Sequence, residues 1–236
     1  EPVRDHLQRS VGEAGHARGD MDGDPRLVLR IGHRFRKDPA HPEGEGAHQL
    51  RKIAIALVGR GGALVGDIDA QQSSRSWLAL RPAGLPAIAA WDLGPDRIAR
   101  PPRGVTHVVL DTPAGIAGEP LQRALRFANR VIVPLQPSIF DIFATQTFLA
   151  KLAERGTLSD AGKVGVLGMR VDERTRAAEQ LHRFVEGLGL PVVGYLRDTQ
   201  NYVYLAAQGL TLWDVAPSRV MKDREQWQPL LAWLEE

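Results

Sequence analysis

Two acidic segments of this sequence have residue types and spacing that could carry out chemistry. In LVGDIDAQQSS, residues 64–74, Asp67 and Asp69 lie two apart at the end of a short apolar run, so both side chains can project to one side. In VVLDTPAG, residues 108–115, Asp111 follows three apolar residues. An Asp directly after an apolar strand is the arrangement that holds Mg²⁺, directly or through water, beside nucleotide phosphates.

Each of these carboxylates also has a purely structural interpretation, as a helix cap or a turn residue. For a single Asp of this kind we favour the structural interpretation. Two of them at adjacent strand ends favour a functional site, because ligands of a doubly wound sheet bind beyond the carboxyl ends of its strands.

The elements that must position these acids follow from the alternation of apolar runs and helical segments after about residue 50. The predicted strands are ALVGDI (63–68), THVVLD (106–111), RVIVPL (130–135), KVGVLG (163–168) and PVVGYL (191–196). Their near-continuous apolar character indicates burial on both faces. We therefore expect an α/β fold, with a mostly parallel, doubly wound sheet flanked by helices.

Several helix starts can be read between these strands. Pro120 is predicted at a first helical position, Ser138 with Asp141 as a capping box, and Asp172 as an N-cap. The segment after Pro217 carries apolar residues at helical spacing, which predicts a C-terminal helix.

Composition narrows the classes of protein that this chain can represent. The 236 residues are 43% hydrophobic, enough for a sizeable core, and no apolar run approaches the length of a membrane span. Cysteine is absent, which excludes disulfides and thiolate metal sites and fits a cytoplasmic protein. The formal net charge of +2 argues only weakly for a nucleic-acid partner.

Five motifs, in order along the chain, carry a resemblance to a known family. They are DIDAQQSS, VVLDTPAG, VIVPLQPSIFDIFATQTFL, GVLGMRVDERTRAAEQL and YLRDTQNYVYLAAQGLTLWDVAPSR. The first is similar to the DxDPQ segment, and the second to the Walker B run, of the ParA/MinD-type partition ATPases. The resemblance covers about residues 50 to 236.

This resemblance implies a fold and a function. It implies a P-loop NTPase-like domain that binds ATP and Mg²⁺ and dimerises around the nucleotide. It also implies non-specific DNA binding in the ATP state and a cargo-bound partner protein that stimulates hydrolysis. Membrane binding is not expected.

The resemblance also implies roles for individual residues. Asp67 matches the acid implicated in hydrolysis or metal positioning, with Asp69 in the same motif. Asp111 matches the Walker B acid, which contacts Mg²⁺ through water. Thr112 and Pro113 belong to the switch-like turn behind it.

Arg170 falls, with Met169 before it, where the family usually has Asn-Arg beside the adenine base. Met has no amide with which to bond the base edge. As candidate contacts to DNA phosphate we name six basic residues, each with the alternative of a solvated surface position: Arg170, Arg174, Arg176, Arg219, Lys222 and Arg224.

The family's glycine-rich phosphate loop with its two lysines is not readable. The chain has no Gly-Lys-Ser or Gly-Lys-Thr, and the nearest glycine-rich stretch is GRGG, residues 59–62. In one interpretation KIAIALV is the first strand and GRGG a shortened loop, which allows only an antiparallel hairpin. In the favoured one, HQLRKIAIALVGRGG is the first helix, LVLRI (27–31) the first strand, and a segment containing Lys37 replaces the loop.

The N-terminal quarter accordingly differs in character from the rest. Residues 1–49 are predicted to be irregular or poorly ordered, and residues 50–236 to form the ParA-like domain. The Gly, Arg, His and Pro bias of the first segment also suggests a displaced reading frame or a gene-fragment junction.

Three functions remain open at this point. The first is a ParA-like ATPase for plasmid or chromosome partitioning. The second is a degenerate binding module that keeps the sheet but does not hydrolyse ATP. The third is an unrelated α/β enzyme that uses the paired carboxylates for acid–base chemistry.

Overall fold

The computed structural model describes residues 26–30, 63–69, 71–93, 105–113, 115–154 and 162–236. Its strands are β1 (Arg26–Arg30), β2 (Ala63–Asp67), β3 (Ala89–Trp91), β4 (His107–Asp111), β5 (Arg130–Leu135), β6 (Val164–Met169) and β7 (Val192–Leu196). Its helices are α1 (Ser73–Leu78), α2 (Gly118–Phe127), α3 (Ile139–Glu154), α4 (Arg176–Glu186), α5 (Gln200–Ala207) and α6 (Pro217–Glu235).

The strands form one sheet in the order β3-β2-β4-β1-β5-β6-β7, and every adjacent pair is parallel. This confirms the predicted α/β class and the parallel sheet. Strand β1 lies at the centre, and strands β2 and β5, which follow β1 and β4 in chain order, lie on opposite sides of the β1–β4 pair. In a doubly wound sheet, ligands bind at the carboxyl ends of the strands where the order diverges in this way.

Helices cover both faces of the sheet, which explains the continuous apolar runs of its strands. On β4, Val109 faces a core cluster that includes α5 and α6, while Val108 and Leu110 face a cluster that includes α2 and α3. Alternate residues of one strand thus enter opposite layers, and each has to be apolar.

The position of β1 bears on whether LVLRI or KIAIALV is the first strand of the sheet. Arg26–Arg30 is the strand predicted from LVLRI, and it pairs with both β4 and β5. The predicted boundary at residue 49 stays a prediction. The expected first helix, GRGG and Lys37 lie outside the described residues.

Two helix starts differ from those that the sequence suggests. Helix α2 begins at Gly118, so Pro120 lies inside its first turn rather than at its first position. Helix α4 is capped by Thr175, whose hydroxyl accepts from the Ala178 N–H, and not by Asp172. Asp172 instead accepts from the Arg174 N–H in the turn before the helix.

Helix α6 packs its apolar stripe against the sheet. Val220, Trp227 and Leu230 are at most 2% exposed, so the apolar spacing after Pro217 marks a core helix, as predicted. Within the described ranges, every helix is too short or too polar to span a bilayer.

Candidate functional site

The structure brings the two predicted strand-end acids together. Strands β2 and β4 pair with Asp67 directly opposite Asp111. Opposed residues of parallel strands project to the same face, so the two carboxylates lie side by side at the carboxyl edge of the sheet. The residues are only 7% and 3% exposed.

Asp67 is held by backbone donors of the segment that follows it. Its Oδ1 accepts from the Asp69 N–H at 3.0 Å, and its Oδ2 accepts from the Ser74 N–H at 2.9 Å. Burial raises the pKa of Asp67, and the two backbone hydrogen bonds oppose that rise. Asp67 therefore has a structural role, because its side chain accepts an N–H from the first turn of α1. That role requires a buried carboxylate.

Asp67 also borders open space. A cavity of about 280 Å³ lies between α1 and the ends of β2 and β3, and its lining includes Asp67, Arg75, Trp91 and Asp92. The carboxylate is thus buried from bulk solvent but next to a volume that water can enter.

Ser74 links the pair and was not singled out in the sequence. Its hydroxyl donates to Asp111 Oδ2 at 3.3 Å while its N–H donates to Asp67, and the residue is fully buried. The only available signal was the serine pair that opens a helix shortly after Asp67. That pattern indicates a helix start and not a contact with a strand 37 residues away.

The other predicted residues of these motifs line the two turns. Asp69 Oδ1 accepts from the Gln71 N–H at 3.1 Å, which closes the turn before α1. Thr112 is 1% exposed directly behind Asp111. Pro113 is half-buried, and its carbonyl accepts from the Ile116 N–H at 3.2 Å.

The donor set of the pair fits Mg²⁺. In the described part of the chain, no group of three or more His, Asp or Glu side chains is placed to hold a metal ion. Mg²⁺ does not need one, because it keeps several waters and binds through one or two carboxylates together with substrate phosphates. Asp67 and Asp111 supply two such carboxylates, and a cation beside Asp67 would offset the burial that raises its pKa.

The central strand leads into this edge of the sheet. Arg30, the last residue of β1, is in register with Asp111 on one side and Ile132 of β5 on the other. The carboxyl end of β1 therefore lies beside Asp111, between the strands where the strand order diverges. A phosphate-binding segment of a doubly wound sheet occupies this position.

Comparisons with known proteins bear on the fold and on the relationships of this chain. No family model matches the chain. A curated relative, maintenance of carboxysome distribution protein A of Gloeobacter kilaueensis, is 26% identical over 164 residues, which are 68% of this chain and 74% of the relative.

Two solved structures share the fold. The Cyanothece McdA(D38A)–ATP complex is 11% identical, with a TM-score of 0.64, over 90% of this chain and 96% of its own. MinD in the MinC:MinD complex of Aquifex aeolicus is 13% identical, with a TM-score of 0.61, over 89% and 94%. This chain is related to the ParA/MinD-type ATPases.

Arg170 lies on the same edge of the sheet as Asp67 and Asp111 but further along it. It follows β6, three strand spacings from β4, which is about 14 Å. Its backbone is left-handed, with φ of 54°, and its guanidinium pairs with Asp198 at 3.2 Å. Met169 is 2% exposed within the core, so its side chain is committed to packing.

The six basic residues proposed as DNA contacts separate into two groups in the structure. Arg174 pairs with Asp172 at 2.9 Å, and Arg224 donates to the Leu212 carbonyl at 3.0 Å. With Arg170, these three make hydrogen bonds or ion pairs within the chain, although the Arg174 side chain is itself exposed. The other three are solvent-exposed as well: Arg176, Arg219 and Lys222.

Proposed function

We propose that this chain is a MgATP-dependent positioning ATPase of the ParA/MinD type. In this proposal it dimerises around the nucleotide, binds DNA non-specifically, and acts on a cargo through a partner protein. The observation that carries the proposal is the pair of buried carboxylates, Asp67 and Asp111, beside the exit of the central strand.

The roles of the residues follow from their places at the sheet edge. Asp111 would hold the metal through water, and Thr112 and Pro113 would shape the turn behind it. Asp67 would orient the water that attacks the nucleotide, and Asp69 would fix the turn that carries Asp67. When bound, Mg²⁺ would neutralise charge that develops on the phosphates.

Arg170 would contact the nucleotide base from the end of β6. Its left-handed backbone and its pairing with Asp198 hold the guanidinium at that edge. Arg219 and Lys222 on α6 and Arg176 on α4 would make the sequence-independent phosphate contacts, because these three side chains are exposed.

The proposed cargo is a plasmid or chromosome, as the ordered motifs suggest. A carboxysome is the second candidate, and it is favoured by the name of the curated relative. The same chemistry serves both, since the partner protein and not the ATPase site selects the cargo. A non-catalytic binding module remains the alternative to ATP hydrolysis.

Equilibrium binding of MgATP to the purified chain tests the proposal. We expect saturable binding that weakens in Asp111→Ala and is unchanged in Asp172→Ala, a half-buried Asp that pairs with Arg174 in the turn before α4. Failure to bind millimolar nucleotide by a folded protein would refute the ATPase and favour the binding module. Equal binding by wild type and Asp111→Ala would refute the role of Asp111.

A further inference from the structure

Ser74 lies between the two carboxylates and contacts both. Its N–H donates to Asp67 Oδ2 at 2.9 Å and its Oγ donates to Asp111 Oδ2 at 3.3 Å. The residue is 0% exposed. A single residue thus supplies one hydrogen bond to each member of the buried pair.

The position of Ser74 is fixed because α1 is tied down beyond it. Trp77, one turn later, is 1% exposed in the core. Three residues after the helix, Arg81 forms a two-pronged ion pair with Asp214, at 2.9 and 3.0 Å. Ser74 cannot shift without moving α1, and a site built on such an anchored element keeps its geometry.

We propose that Ser74 is the positioning residue of the cation site formed by Asp67 and Asp111. This rests on the proposed function, in which the cation is the Mg²⁺ of MgATP. A carboxylate oxygen that accepts one hydrogen bond keeps a second lone pair for a metal or its water. Ser74 therefore helps to orient both carboxylates, through its N–H at Asp67 and through its Oγ at Asp111.

Removing such an outer partner of a metal ligand typically weakens metal affinity by about 10- to 100-fold. For Ser74→Ala we expect the gain in ATP affinity on adding Mg²⁺ to shrink by about tenfold. The ATP affinity measured in EDTA should stay at the wild-type value, because Ser74 acts through the carboxylates and not on the nucleotide.

The matched control is Ser76→Ala, the same change on the same helix. Ser76 is exposed and its hydroxyl donates to the Gln72 carbonyl, away from both acids. It should leave both ATP affinities unchanged. If Ser74→Ala lowers the affinities with Mg²⁺ and in EDTA equally, or lowers neither, the positioning role is wrong.

A second measurement does not depend on nucleotide. The urea midpoints of Ser74→Ala, Asp111→Asn and the double variant form a cycle that isolates the interaction between the two side chains. We expect non-additive shifts, whereas the corresponding cycle with Ser76→Ala should be additive. Additive shifts in the Ser74 cycle would overturn the proposal, even if the chain binds MgATP.

The two measurements also separate this inference from the proposed function. If wild type binds no nucleotide but the Ser74 cycle is non-additive, the ATPase is refuted and the Ser74 contact stands. If wild type binds MgATP and Ser74→Ala keeps the full Mg²⁺-dependent gain, the ATPase stands and the assignment of Ser74 is refuted.

Discussion

The buried ion pair between Arg81 and Asp214 should be the strongest single polar interaction between the segment that follows α1 and the C-terminal part of the chain. Both side chains are 6% exposed and the pair is bidentate. Arg81 also donates to the carbonyls of Pro86 at 3.0 Å and Gly209 at 3.3 Å. The change that tests it is Asp214→Ala.

The expected cost follows from what the variant leaves behind. Removing one partner of a buried pair costs about 3–5 kcal/mol, because the other charge stays buried without compensation. Arg81 would keep its two carbonyl acceptors, so we expect about 3 kcal/mol, the lower end of that range. For a chain of this length, that is a fall in Tm of about 6–12 °C.

Urea unfolding and thermal melts measure this cost. Asp92→Ala is the control, since Asp92 pairs with Arg75 while both side chains are well exposed, at 85% and 59%. An exposed pair contributes about 0–1 kcal/mol. If Asp214→Ala costs no more than Asp92→Ala, the Arg81 pair is solvated and does not anchor α1. A double variant with Arg81→Met and Asp214→Leu should recover much of the loss, because apolar groups replace a buried pair with little penalty.

Three further changes test the packing around this region and the charge at the site. Gly209→Ala should cost at least about 2 kcal/mol, because φ is +66° and the new Cβ would lie 2.4 Å from the Leu80 carbonyl oxygen; an unchanged urea midpoint would contradict this approach. Tyr202→Phe should cost about 1–3 kcal/mol in urea unfolding, because the buried Trp227 N–H loses its acceptor at 3.1 Å. In Mg²⁺-free buffer, burial raises the pKa of Asp67 above 3.8, so the stability that its protonation contributes is present below that pH and is lost as the pH rises through the raised value. In Asp67→Asn, the urea midpoint should fall less over this pH range. The same pH profile in wild type and variant would refute the raised pKa of Asp67.

Much of the fold could be predicted from the sequence, because the strands buried on both faces are marked by uninterrupted apolar runs. RVIVPL corresponds to Arg130–Leu135 without an error at either end. Strand β3 was missed because Ala89–Trp91 is a three-residue edge strand whose exposure pattern is mixed. This segment forms a strand because it pairs with β2, and its own residues do not mark it as a strand.

The site was predictable only in part, because the sequence marks where strands end but not which residues of distant segments meet. An apolar run that ends in an acid places that acid at a strand end, which the sequence shows for Asp67 and Asp111. The register that sets them opposite each other, and the return of α1 that brings Ser74 between them, depend on contacts across 37 to 44 residues. Local spacing carries no information about contacts at that separation.

The burial of the Asp67 carboxylate has a cost in free energy. Its two oxygens accept the Asp69 and Ser74 N–H groups, but these hydrogen bonds offset the cost of burial only in part, since the pKa of Asp67 is still raised. Ionised, Asp67 carries a desolvation cost, visible in its raised pKa, while a second buried carboxylate lies directly opposite at Asp111. A buried ionised carboxylate destabilises the empty fold, and a cation beside it would offset that cost. If the proposed function is right, Mg²⁺ with nucleotide should therefore raise the urea midpoint of wild type more than that of Asp67→Asn.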